Sequence, residues 1–215
     1  MKSKKLLLMC VAILILSGCG RAKTQEPDIT EAVVDEMNTD VPADEINTDA
    51  LLDSFINGEI MAYYSEPDRE SFYITDLPND LEDFTCYSVG DRIDLDNDGE
   101  MELIMKGPYG GKYLDARDGQ IYVLDEGEGT AWYISYTEFD GQTWIVHSDT
   151  THGGRIFYAF TLYDGTGHVA DERSLLKAYW DTPDTPDGPD TVYTYGDKQI
   201  TKEEYDELLM KMLGE

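Results

Sequence analysis

The sequence predicts an α+β fold that is mostly β: an antiparallel meander of about six to eight strands with a short N-terminal helix before it and a C-terminal helix packed on the sheet. Three observations lead there. Beyond Phe72 the apolar residues fall at every second position, as in Trp132, Ile134 and Tyr136 or Ile156, Tyr158, Phe160 and Leu162, which is the period of a half-buried strand. Asp-Gly pairs at Asp118-Gly119, Asp140-Gly141 and Asp164-Gly165 interrupt these runs with the signature of tight turns. Helical spacing is confined to the two ends of this region.

The first element, residues 1–18, carries Lys2, Lys4 and Lys5 before an apolar run from Leu6 to Leu16. That run is too short to span a bilayer as a permanent helix and reads as a secretion signal. Residues 19–47 form the second. From Thr24 to Asp49 there are nine acids and no basic residue, so this stretch is a solvated tether. As a random coil it would hold a domain on the order of 30 Å from its anchor. The globular domain then occupies residues 48–215. It opens with a helix capped by Thr48 or Asp49, with Leu51, Leu52, Phe55 and Ile56 on one face and a stop near Gly58. Cys86 falls in FTCYSV, whose alternation predicts a strand with the thiol as a small buried hydrophobe. The Pro-Asp repeat at 181–190 forbids a central strand and predicts an exposed acidic loop. At the end of the chain Thr201 and Glu204 form a capping box, Ile200 and Tyr205 a hydrophobic staple, and Leu208, Leu209 and Met212 an apolar face closed by Gly214.

Charge excludes one class of partner. The chain of 215 residues has 16 basic against 45 acidic groups, a formal net charge of −29, and nucleic acid would be repelled. Removal of the signal deepens the imbalance, so attraction to an anionic bilayer cannot hold the protein at a membrane. Cys10 leaves with the signal. With Cys19 consumed as described below, Cys86 remains alone and no internal disulfide can form.

The strongest chemical motif is Asp94-Leu95-Asp96-Asn97-Asp98-Gly99-Glu100-Met101-Glu102. Alternate carboxylates converge on one point if the chain curls, and Gly99 at the sixth place permits the bend. Asp94, Asp96 and Asp98 are then ligands by side chain, Glu100 by its backbone carbonyl and Glu102 by its carboxylate, an oxygen-only set that suits Ca²⁺. An acidic hairpin without metal is the competing reading. It is disfavoured because carboxylates crowded together repel one another unless a cation is present. The affinity expected of such an extracellular site is roughly 10⁻⁴ to 10⁻³ M, suited to a structural clip.

Three resemblances follow from these residues. Leu16-Ser17-Gly18-Cys19 resembles the lipobox of bacterial lipoproteins, which implies a diacylglyceryl group on Cys19 and a lipid anchor on the extracytoplasmic face of the cell membrane. The loop at 94–102 has Met105 where an EF-hand has a bidentate Glu, and it resembles the calcium turns of FG-GAP and VCBS propeller repeats, in which the acid at the ninth place completes the shell. That likeness covers about a dozen residues and carries no propeller with it. The order of lipobox, acidic tether, helix, DLDNDGEMELIM, GPYGG, DTTHGG and capped final helix is similar to small lipoproteins of anaerobic Gram-positive bacteria, and implies a surface lipoprotein without assigning an activity.

Weaker constellations sit in the connections. In an up-and-down sheet the connections alternate between its two ends, so the tight Asp-Gly turns fall on the calcium end. The longer Gly-rich connections at 107–111, 125–130 and 150–154 fall together at the other. Tyr109, His152 and Arg155 are the candidate binding residues there, because loops on a rigid scaffold commonly carry binding. His147 and Asp149 end a strand on one side, and with His152 they are the polar cluster available for acid–base work. The reading is a monomeric, lipid-anchored interaction module with one structural calcium site and a protein or glycan partner. A small hydrolase of envelope polymers using His147, Asp149 and His152 is the alternative.

Overall fold

The computed structural model describes residues 47–80, 83–180 and 184–214. The expected signal, the expected lipidation site Cys19 and all of the expected tether except Asn47 lie outside the described residues. Among the described residues no helix is long and apolar enough to cross a membrane.

Helix α1 (Thr48–Ile56) starts one residue earlier than its composition suggests, because the Asn47 side chain, not Thr48 or Asp49, accepts from the Ala50 amide at 3.0 Å. A two-residue strand β1 (Ala62–Tyr63) follows, then four strands in series: β2 (Ser88–Ile93), β3 (Glu102–Lys106), β4 (Lys112–Arg117) and β5 (Gln120–Glu126). A second series comprises β6 (Tyr133–Phe139), β7 (Gln142–Asp149), β8 (Arg155–Tyr163), β9 (Val169–Ala178), β10 (Val192–Tyr195) and β11 (Lys198–Ile200), and helix α2 (Lys202–Leu213) ends the chain.

The fold is mostly β, as expected, and the meander is divided into two sheets. The first has the order β1-β5-β4-β3-β2, antiparallel except for the parallel pairing of β1 with β5; the second runs β11-β10-β9-β8-β7-β6. The division follows from strands that are apolar on both faces. In β3, Leu103 and Met105 pack with Leu114, Ile121 and the α1 residues Leu52 and Phe55. Ile104, between them, packs with Tyr113, Leu124, Ile134 and Ile145 from both sheets. A single sheet would leave one of these faces in water. Two stacked sheets bury their inner faces against each other and leave one outer face each for a helix.

Both helices meet that need. Burial of Leu52 and Phe55 contributes about 1.5–3 kcal/mol each. Helix α2 lays Tyr205, Leu208, Leu209 and Met212 on Phe139, Trp144, Val146 and Phe160. Its capping box is present as expected, with the Glu204 amide donating to Thr201 Oγ1 at 3.2 Å and the Thr201 amide donating to Glu204 Oε2 at 2.8 Å. Gly214 closes the helix in the left-handed conformation, φ 75°.

One local expectation is corrected. Phe84 and Cys86 are not in a strand: Asp83 organises a turn, accepting from the Thr85 amide at 2.9 Å by its side chain and from the Cys86 amide at 3.0 Å by its carbonyl. This Asx turn competes successfully with extended pairing, so β2 begins only at Ser88, Phe84 is exposed and Cys86 is half-buried. The described part of the Pro-Asp loop, 184–190, contains no strand, and Asp187 is held there by Lys177 at 2.8 Å and the Tyr193 hydroxyl at 3.0 Å.

Candidate metal centre and loop face

The connection between β2 and β3 is the acidic loop. Two left-handed residues curl it, Asn97 at φ 68° and Gly99 at φ 92°. A Cβ at Gly99 would meet nothing within 4 Å, so glycine is there for its backbone conformation and not for space. Asn97 then staples the loop to the second sheet, exchanging two hydrogen bonds with the Thr143 backbone at 2.8 and 3.0 Å.

This curl brings Asp94, Asp96 and Glu102 together, each offering an oxygen within 4.8 Å of the others. Asp96 is wholly buried and Glu102 is 1% exposed. Glu102 accepts from the Leu95 amide at 2.5 Å. Asp94 Oδ1 and Asp96 Oδ2 are buried and have no hydrogen-bond partner. Burial pushes Asp96 up to about 7, with repulsion from Asp98 and Asp115 added. Burial likewise pushes Glu102 up to about 9, against the opposing hydrogen bond from Leu95. Oxygens so placed and so short of donors fit an oxygen-seeking divalent cation.

Of the four ligands expected through their side chains, three converge. Asp98 and Glu100 lie at the exposed rim, where Asp98 Oδ1 accepts from the Glu100 amide at 2.7 Å. Sequence reasoning missed a further acid, Asp115 on β4, which is 3% exposed and close enough to repel the charges of Asp96 and Glu102. Burial raises its carboxyl, and the Arg117 guanidinium bonded to it offsets part of that. The signal was present in KYLDAR, where an acid takes the inward position of an otherwise apolar strand.

The turns fall where an up-and-down sheet puts them. Gly165 of the β8–β9 turn packs on Asp98, Gly167 packs on Arg117 beside the β4–β5 turn, and Thr143 beside the β6–β7 turn holds Asn97. The three longer connections gather at the opposite end. The Gly127 amide donates to Gly111 O at 2.9 Å, and Thr151 Oγ1 donates to Thr130 O at 3.3 Å. Gly110 passes so close to β6 that a Cβ would lie 2.0 Å from Ile134 O, and Tyr109 beside it is held at φ 55°.

At this end Asp149 is fully buried and takes three side-chain bonds: His152 Nδ1 at 2.6 Å on one oxygen, and Arg155 Nε at 2.6 Å and a terminal guanidinium nitrogen at 2.5 Å on the other. Burial opposes its ionisation, and these bonds outweigh burial and hold the carboxyl below the usual range. His147 belongs to a different network. It is buried, stacked on Trp132 at 4.6 Å between ring centres, with Nε2 at 3.2 Å from Glu126 O and 3.3 Å from Asp125 Oδ1. A bulge in β5 sets this up. Tyr113 pairs with Asp125 and Leu114 with Val123, so Leu124 is extra. Asp125 thereby meets His147 and the Tyr163 hydroxyl, while Glu126 meets Lys112, Arg69 and Tyr64.

Comparison of the chain with known protein families, with curated proteins and with solved structures finds no match in any of the three.

Proposed function

We propose that the protein is an extracytoplasmic interaction module, anchored by acyl chains on Cys19, whose acidic loop holds one structural Ca²⁺. Calcium is supported chiefly by one observation: a wholly buried Asp96 with an unpartnered oxygen, beside Asp94 and Glu102 in a loop of carboxylate spacing. In water-excluded surroundings those groups ionise together only around a cation, and an all-oxygen set favours Ca²⁺ over softer metals. The ion's task is mechanical. The loop is bonded to both sheets, through Asn97 and Thr143 on one side and β2 and β3 on the other, so a cation there ties the two layers. The partner-binding face in this reading is the opposite end, where three connections meet on a rigid scaffold.

Two measurements test this. Titration of Ca²⁺ into metal-free protein gives one-site binding and a raised melting temperature; a melting curve indifferent to Ca²⁺ and to chelator sinks the calcium assignment. Mass spectrometry of the membrane fraction finds a diacylglyceryl group at Cys19, and an unmodified thiol there sinks the anchor.

One observation favours a second reading, a hydrolase of envelope polymers. His152 is half exposed and is oriented through Nδ1 by the buried carboxylate of Asp149, as a general base would be. Arg155 shares that carboxylate and leaves the pair as well explained by loop anchoring. Polymer cleavage that disappears in His152→Ala is the outcome that would favour the enzyme.

A further inference from the structure

The outer face of the second sheet is only partly covered by α2. The last turn of the helix is pinned over β6, where Thr137 Oγ1 donates to Met212 O at 2.7 Å. Toward the end bearing the long connections, the faces of β6, β7 and β8 continue past the helix into a groove of about 650 Å³. Its floor is set by register. Tyr133 pairs with Ser148 and Ser148 with Tyr158, so two tyrosines flank a serine across three adjacent strands. Strand spacing puts their Cα atoms about 9–10 Å apart. Ser135 and Val146 form the next row, and Thr150 and Thr151 form the rim.

The chemistry of this lining is unlike that of the remainder of the molecule. Seven of its nine side chains end in a hydroxyl and none is charged, in a chain where 28% of residues carry a charge. We propose that this groove binds a neutral carbohydrate, an assignment that rests on the reading of the protein as an interaction module and names the chemical class of its partner. Hydroxyl side chains both donate and accept, which matches a sugar's own hydroxyls. Tyrosine adds a broad apolar ring with a polar tip, and Tyr133 is 48% exposed. An anionic ligand would find no cation here, and a metal would find no carboxylate. A wholly apolar ligand would strand the hydroxyls of Tyr133 and Ser148 without water. The volume is within the range of about 300–1,000 Å³ typical of small-ligand sites.

The test is calorimetric titration of the full chain with neutral hexasaccharides of glucose, mannose and N-acetylglucosamine, with hexagalacturonate as the anionic control. At least one neutral probe is expected to bind and the control is not. Tyr133→Ala, on the exposed edge strand, is expected to weaken binding tenfold or more with an unchanged melting curve, and Ser148→Trp to abolish it by filling the floor. Three outcomes each overturn the proposal: no binding of any neutral probe at millimolar concentration, affinity unaltered by Tyr133→Ala, or preference for the anion. Capture of an envelope protein through Tyr133, with every sugar ignored, overturns it too. Such failures leave the module reading standing while calcium binding and Cys19 acylation hold; loss of those two removes the module reading whatever the sugars do.

Discussion

Asp96 combines complete burial, an oxygen without a donor and a surround of acidic neighbours, an arrangement that costs stability unless a cation or proton compensates. Asp96→Asn keeps the shape and removes the charge. The expected result is a metal-free protein at least as stable as the parent, with Ca²⁺ affinity at least tenfold weaker and no rise in melting temperature on adding Ca²⁺. An Asn variant that still gained the parent's full calcium stabilisation would show that the ion does not sit against Asp96. Much of this site was legible residue by residue, because alternate carboxylates around a glycine are a local pattern. Asp115 was not, since its nearness to Asp96 arises from the pairing of β3 with β4. For the same reason His147 and His152, five positions apart, read as one cluster in the chain and belong to two networks in the fold.

Among the elements, α2 carries the clearest local instructions. Its capping box, staple, apolar stripe and terminal glycine lie within fifteen residues and stand where the sequence places them. Thr201→Ala removes one arm of the box, and the expected loss is about 1 kcal/mol, measured as a lower urea midpoint with an unchanged slope. A loss below about 0.3 kcal/mol would mean that packing on Phe139 and Trp144 holds the helix start without the cap. Where local signals conflicted, the nearest hydrogen-bonding group decided the boundary. Asn47 took the cap ahead of Thr48, and Asp83 bent a stretch whose alternation suited a strand.

At the scale of the whole molecule, protons and the proposed calcium ion would compete for the same carboxyls. Asp96 near 7 and Glu102 near 9 stand far above the ordinary carboxyl range, so between about pH 4 and pH 9 the metal-free native state binds more protons than the unfolded chain. Stability without calcium therefore falls as pH rises through that window. Asp149 and Glu126, held below their usual range, have already given their full contribution by about pH 5.5 and do not reverse the trend. Melting in excess chelator at pH 5.5, 7 and 8.5 is expected to show a declining midpoint, and calcium's stabilisation is expected to grow across the same series. A midpoint that climbs with pH in chelator would contradict the burial of these carboxyls.

Composition, periodicity and end signals were sufficient for a β-rich domain between two helices and for the acidic loop, because each is written in neighbouring residues. The division into two sheets was not, because alternation reports that a strand has faces and does not report what each face meets. Strand pairing placed Asp115 against the acidic loop, closed three distant connections into one end and set Tyr133, Ser148 and Tyr158 side by side across three strands. Those juxtapositions come from register and layer stacking, which join residues far apart along the chain and leave no local trace in it.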